Sequence, residues 1–248
     1  MRKIVVLSGL LLLPMLQAEA QDKAIYRAYV EIRMDQWLQR MEQMERSCAL
    51  KRDRDECYEL LVARYGYVAY CISVGRKKDA REIWEKALGQ AAWMSKRYSN
   101  DARVFSLQGA IHGYGAVMEP FRAPGHGKRA RVACDKAIAL DSLEPMAWME
   151  QAHMAHHAPP ILGGSKPRAI RYYTRAIQLF EDHPEKLPGN WLYLNCLAGL
   201  AQVFEEEDQM QRAGALYRKI LRIEPDFSWV KDDLYPAWKE KQGRNSSP

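Results

Sequence analysis

Residues 197–225 read LAGLAQVFEEEDQMQRAGALYRKILRIEP, and this stretch decides the fold. Leu197, Leu200, Ala201 and Phe204 fall at i, i+3, i+4 and i+7, which is one face of a helix. After a polar run, Ala213, Tyr217 and Ile220 stand at i, i+4 and i+7, again one helical face. Asp208, between the two runs, tolerates the left-handed conformation that ends a helix, and Pro225 closes the second run because it cannot continue one. The stretch predicts helix, tight turn, helix.

The second half of this pattern occurs four times. Aligned on Ala80, Ala130, Ala169 and Ala213, the chain has Trp84, Cys134, Tyr173 and Tyr217 four residues on, and Ala87, Ala137, Ala176 and Ile220 seven residues on. A basic residue precedes the last column each time (Lys86, Lys136, Arg175, Lys219) and an aliphatic one follows it (Leu88, Ile138, Ile177, Leu221). Five residues before each anchor stand Gly75, Gly125, Gly164 and Asp208, predicted to hold the left-handed turn of each unit. An Ala in the first column lets two helices approach closely while the aromatic fills the groove beside it.

These columns resemble the second helix of a tetratricopeptide (TPR) motif, and residues 197–225 carry nearly the whole signature. The anchors lie 50, 39 and 44 residues apart, against about 34 in regular TPR arrays, so the loops are lengthened. Residues 159–177, PPILGGSKPRAIRYYTRAI, resemble the helix-turn-helix of exported bacterial TPR proteins, including partner subunits of some TRAP-type transporters. The resemblance implies an all-α fold, a right-handed superhelix of TPR-like helix-turn-helix pairs with capping helices. It also implies a concave face lined by Tyr65 in the first unit, Met149, His153 and His156 in the third, and Asn195 and Gln202 in the fourth, with His112 and Tyr114 as further members. Such a groove suits a protein or peptide partner. The expected function is an exported scaffold or adaptor in the bacterial cell envelope; the alternative is a small-ligand-binding accessory component of a TRAP-type transport system.

The ends of the chain read differently. Arg2 and Lys3 precede an apolar run from Ile4 to Leu16, and Ala18-Glu19-Ala20 supplies the small residues of a cleavage site, so residues 1–20 are expected to be a signal peptide. That places a periplasmic or secreted protein at residues 21–241, with no integral membrane segment in the mature chain. Residues 22–46 carry Ile25, Tyr29, Val30, Trp37, Leu38, Met41 and Met44 on one side, which predicts one amphipathic helix as an N-terminal cap. Trp229, Leu234, Tyr235 and Trp238 mark a final helix whose regularity Pro236 limits, and residues 242–248 are expected to be a disordered tail.

The remaining features exclude more than they assign. The 37 Lys and Arg against 31 Asp and Glu alternate along helices without a basic stripe, so no nucleic acid partner is expected. Of five cysteines, Cys48 and Cys57 flank the polar segment ALKRDRDE and are the one pair whose proximity the sequence itself suggests for a disulfide. Cys71, Cys134 and Cys196 sit in apolar helical stretches as small buried hydrophobes. His153, His156 and His157 could set two imidazoles on one helix face, but no acidic or Cys ligand is close in sequence, so no metal is expected. Gly163-Gly164-Ser165-Lys166 lacks the full phosphate-loop pattern and reads as a turn with Ser165 as N-cap. With no catalytic signature and no cofactor motif, an enzyme is not expected.

Overall fold

The computed structural model describes residues 22–245; the segment expected to be a signal peptide lies outside them. The described residues form eleven α-helices and no strand. Helices α1 (Lys23–Val30) and α2 (Met34–Lys51) precede four antiparallel pairs: α3 (Arg54–Ser73) with α4 (Lys77–Arg97), α5 (Ala102–Met118) with α6 (Ala123–Leu140), α7 (Pro145–His157) with α8 (Lys166–Glu181), and α9 (Trp191–Glu206) with α10 (Met210–Ile223). Helix α11 (Tyr235–Asn245) closes the array. The chain is an all-α, helical-repeat superhelix.

Its starts and stops follow from local chemistry. Asp53 accepts hydrogen bonds from the Asp55 and Glu56 amides at the head of α3, Asn190 does so for Tyr193 at the head of α9, and Ser165 caps α8 through the Arg168 amide. At the tight turns the chain closes by Schellman pairs around a left-handed residue. Gly75 (φ 76°) ends α3 with Arg76 N–H on the Cys71 carbonyl, and Asp208 (φ 55°) ends α9 with Gln209 N–H on the Phe204 carbonyl. The other two turn positions differ from expectation. Gly125 lies inside α6, because Pro120–Arg122 makes the turn earlier as a 3-10 helix. In the third unit Gly163, not Gly164, takes positive φ (96°); Gly164 is needed because a Cβ there would sit 1.8 Å from the Ala158 carbonyl oxygen.

All twelve column positions are at most 2% exposed. The small residues do what close packing requires. A Cβ on Gly109 of α5 would meet the Cys134 sulfur at 2.3 Å, and one on Gly199 of α9 would meet the Tyr173 ring at 2.8 Å. Thus each of these second-column side chains fills space that a missing Cβ on a neighbouring helix leaves open.

The N-terminal segment is two helices and not one. Ile32 (φ 53°) takes the left-handed position, with Arg33 N–H on the Ala28 carbonyl, and the chain reverses into α2. Helix α1 then packs against α9. Tyr29 lies 5.1 Å from Trp191 and 5.0 Å from Phe227, between ring centroids, and Tyr26 donates to Glu224 at 2.7 Å. Trp37 of α2 donates to the Ala63 carbonyl at 3.0 Å and meets Trp191 edge-on at 5.4 Å. A Cβ on Gly66 of α3 would touch both indoles, at 2.6 and 2.8 Å. The array is therefore closed: its first and last units meet over their own N-terminal helices.

At the far end, Pro236 has no amide hydrogen to donate, and the turn before it widens into a π-helix over Trp229–Leu234 with Tyr235 N–H on the Val230 carbonyl. Helix α11 runs on to Asn245, so the expected tail is helical through residues 242–245; residues 246–248 lie outside the described residues.

Cys48 on α2 and Cys57 on α3 are joined, with Cα atoms 5.0 Å apart, across the turn in which Arg52 is left-handed. Cys71, Cys134 and Cys196 are free and buried. Alkylation of the unreduced protein in denaturant should therefore modify three thiols, and alkylation after reduction should modify five. Labelling of Cys48 and Cys57 before reduction would remove the bridge.

Candidate interaction surface

The first helices of the four pairs, α3, α5, α7 and α9, pack side by side, and their inner faces converge on a buried carboxylate. Glu150 of α7 is 5% exposed and accepts from the Tyr65 hydroxyl at 2.8 Å, with His153 Nδ1 3.1 Å from the same oxygen. Tyr65 is stacked on Tyr114 of α5 at 5.4 Å and on Trp191 of α9 at 6.2 Å. Burial, reinforced by the Glu150 charge, pushes the Tyr65 and Tyr114 phenols well above the usual tyrosine range, so both stay protonated and Tyr65 remains a donor to Glu150. A charge taken this far out of water needs such donors.

A second polar layer lies toward the α7–α8 turn. His156 Nε2 is 3.0 Å from a Glu206 oxygen on α9, Lys166 pairs with the other oxygen, and His157 stacks on His156 at 4.1 Å. Burial lowers His156 to about 4, with Lys166 and His153 adding to the effect, and His157, although exposed on one side, is lowered to about 3 by desolvation against its neighbours and by His156, His153 and Lys166. Both imidazoles are neutral near pH 7. His156 can therefore donate Nε2–H to Glu206. Tyr173 sits edge-on between His153 and His156, and its buried hydroxyl has no hydrogen-bond partner among the described residues.

The six residues expected to line the groove separate into two depths. Tyr65 and Met149, at 2% and 0% exposed, belong to the core, because α2 and Trp191 cover α3 while α5, α8 and α9 flank α7. His156 is buried too, held by Glu206. His153, Asn195 and Gln202 are half-exposed and remain on the surface. Sequence reasoning missed Glu150, although a glutamate four residues after Met146 and three before His153 on a buried helical stripe is a signal of an internal polar contact. It also missed Trp191.

Among the described residues no group of three or more His, Cys, Asp or Glu side chains could hold a metal ion. None of the described helices is long and apolar enough to cross a membrane. One cleft opens at the opposite helix ends, lined by Arg54, Arg97, Asp101, Arg103, Asp141 and Glu144. Arg103 is bound there to Asp55 and Asp101, and burial pushes the Glu144 carboxyl up to about 7.

No family model matches the chain, and no curated protein does. Two of the solved structures similar to it illustrate the likeness. A thermophilic TPR protein from Thermus thermophilus is 16% identical, with 89% of this chain and 96% of that one covered at a TM-score of 0.56. The HusA haemophore from Porphyromonas gingivalis is 15% identical, with 77% of this chain and 96% of that one covered at a TM-score of 0.59. At such identities the likeness is one of fold: a TPR-like helical repeat.

Proposed function

We propose that this chain is an exported TPR-like scaffold that holds a protein or peptide partner in the bacterial cell envelope, without catalysing a reaction. One observation carries the reading. Asn195 and Gln202 stand half-exposed on the inner face of α9, outside the buried columns, and half-exposed His153 on α7 shows its outer edge while its Nδ1 meets Glu150 beneath it. Side chains that the repeat does not need for packing are free to make contacts with another chain. Export is supported by the basic, apolar and small-residue order of residues 2–20 and by the Cys48–Cys57 bridge, which suits an oxidising compartment.

The test separates binding from stability. Asn195→Ala and Gln202→Ala should each change stability by about 0.5 kcal/mol or less, whereas His153→Ala removes a partner of the buried Glu150 and should cost about 1 to 3 kcal/mol. Together they should lose most of the partner recovered by crosslinking and affinity capture from the native envelope, since interface energy concentrates in few residues. Arg171→Ala, Gln178→Ala and Gln211→Ala, exposed on α8 and α10, are the control. Loss of the partner in the control set, with full recovery in the inner set, would place the site on the outer helices.

A further inference from the structure

The turns that join the two helices of each pair all lie along one edge, and three of them share a composition. Val74 (51% exposed) stands on the α3–α4 turn, Phe121 (103%) on the α5–α6 turn and Ile161 (92%) on the α7–α8 turn. Phe121 and Ile161 are presented in the same way, each directly after a proline in a short 3-10 helix, Pro120–Arg122 and Pro160–Leu162. The Arg122 amide on the Glu119 carbonyl and the Gly164 amide on the Pro159 carbonyl fix these turns. Two large apolar side chains are thus held out into solvent on stiff supports.

The turns are joined into one surface. The Arg81 guanidinium on α4 donates to the Met118 carbonyl at the end of α5, Arg131 on α6 donates to the Leu162 carbonyl, and Lys166 on α8 pairs with Glu206. Around the apolar tips the exposed cations are Lys77 and Lys78 at the first turn, and Arg122, Lys128 and Arg129 at the second. The third turn and the first residues of α8 add half-exposed Arg168, with no acidic residue between 158 and 171; Lys166 beside it is already paired with Glu206. The α9–α10 turn on the same edge is acidic, with Glu205, Glu206, Glu207 and Asp208, so the basic and apolar surface is confined to the first three turns.

We infer that this edge docks on an anionic phospholipid surface, with Phe121 and Ile161 entering the headgroup region and the surrounding Lys and Arg side chains meeting lipid phosphates. The occupant follows from shape and charge. The apolar groups are protruding tips, not a groove that could receive a helix, and a bilayer interface accepts separate tips along a line. Basic side chains beside them supply the attraction to an anionic leaflet. The acidic α9–α10 turn is repelled by the same surface, so contact is made through the first three turns.

The experiment uses protein recovered after export, with its N-terminus sequenced, in co-sedimentation with vesicles. Vesicles of phosphatidylethanolamine with about a third phosphatidylglycerol should bind it at low ionic strength and release it as the screening length falls toward about 8 Å, whereas phosphatidylcholine vesicles should not bind it. Phe121→Ser with Ile161→Ser should weaken binding by about tenfold or more. Lys128→Glu with Arg129→Glu should remove the preference for anionic vesicles. Leu143→Ser, an exposed apolar position at the opposite edge, should bind as the parent does. Melting curves confirm that each variant is folded, and Ile161→Ser alone serves if the double variant is not. The inference is overturned if the parent ignores anionic vesicles or binds both kinds equally. It is overturned equally if the serine variants bind undiminished, or if they lose only a protein partner.

Discussion

Ala169→Trp and Ala213→Trp should each destabilise the protein by about 1 to 3 kcal/mol or more, the cost of forcing a large side chain into a filled core. Both alanines are fully buried at the first column of their units. Neither neighbourhood has slack. Next to Ala213, a Cβ on Gly214 would come within 2.1 Å of the Trp238 ring, and one turn along from Ala169 the Tyr173 ring lies against Gly199. An added indole must push α8 from α7, or α10 from α9 and α11, and that separation uncovers aromatic surface as well as straining rotamers. For a chain of this size a kilocalorie is worth about 2 to 4 °C in Tm, so thermal melting resolves the effect. Arg171→Trp, exposed two residues beyond Ala169, should leave Tm nearly unchanged. Unaltered melting in both alanine variants would mean that the columns do not mark the helix contacts.

The columns were legible because burial on a helix repeats with the helical period, so four aligned segments carry the same message. Turn chemistry was legible where it is local. Gly75 and Asp208 take the left-handed residue's place, but the Gly164 column held for another reason: the chain passes too close to the Ala158 carbonyl for any side chain. Gly125 misled because Pro120 starts the turn before it. The break at Ile32 left no sign, since a β-branched residue at positive φ runs against local preference and survives here because α1 is held by Tyr29 and Tyr26 against the far end of the array.

That closure also explains the mixed reading of the site. In an open array Tyr65 and Met149 would face a groove, but sequence periodicity shows only which residues share a helix face and not what covers that face. Here Trp37, Trp191 and Tyr114 cover it, and the half-exposed polar groups His153, Asn195 and Gln202 are what remains accessible. The buried Glu150 could not be placed without its partner Tyr65, 85 residues away.

The most direct test of a repeat closed by its own N-terminal helices is Trp37→Ala, measured by thermal melting together with amide exchange of α1. Trp37 is 1% exposed and contributes a ring packed on Gly66 and Trp191 and a hydrogen bond to Ala63. Its removal leaves a cavity at the point where α2, α3 and α9 meet, which should cost about 3 to 5 kcal/mol. Exchange should then accelerate along Lys23–Val30, because that helix loses the support beneath Tyr29. A loss below about 1 kcal/mol, with α1 exchanging as in the parent, would contradict the closed array, since a ring of that size on an exposed flap contributes little.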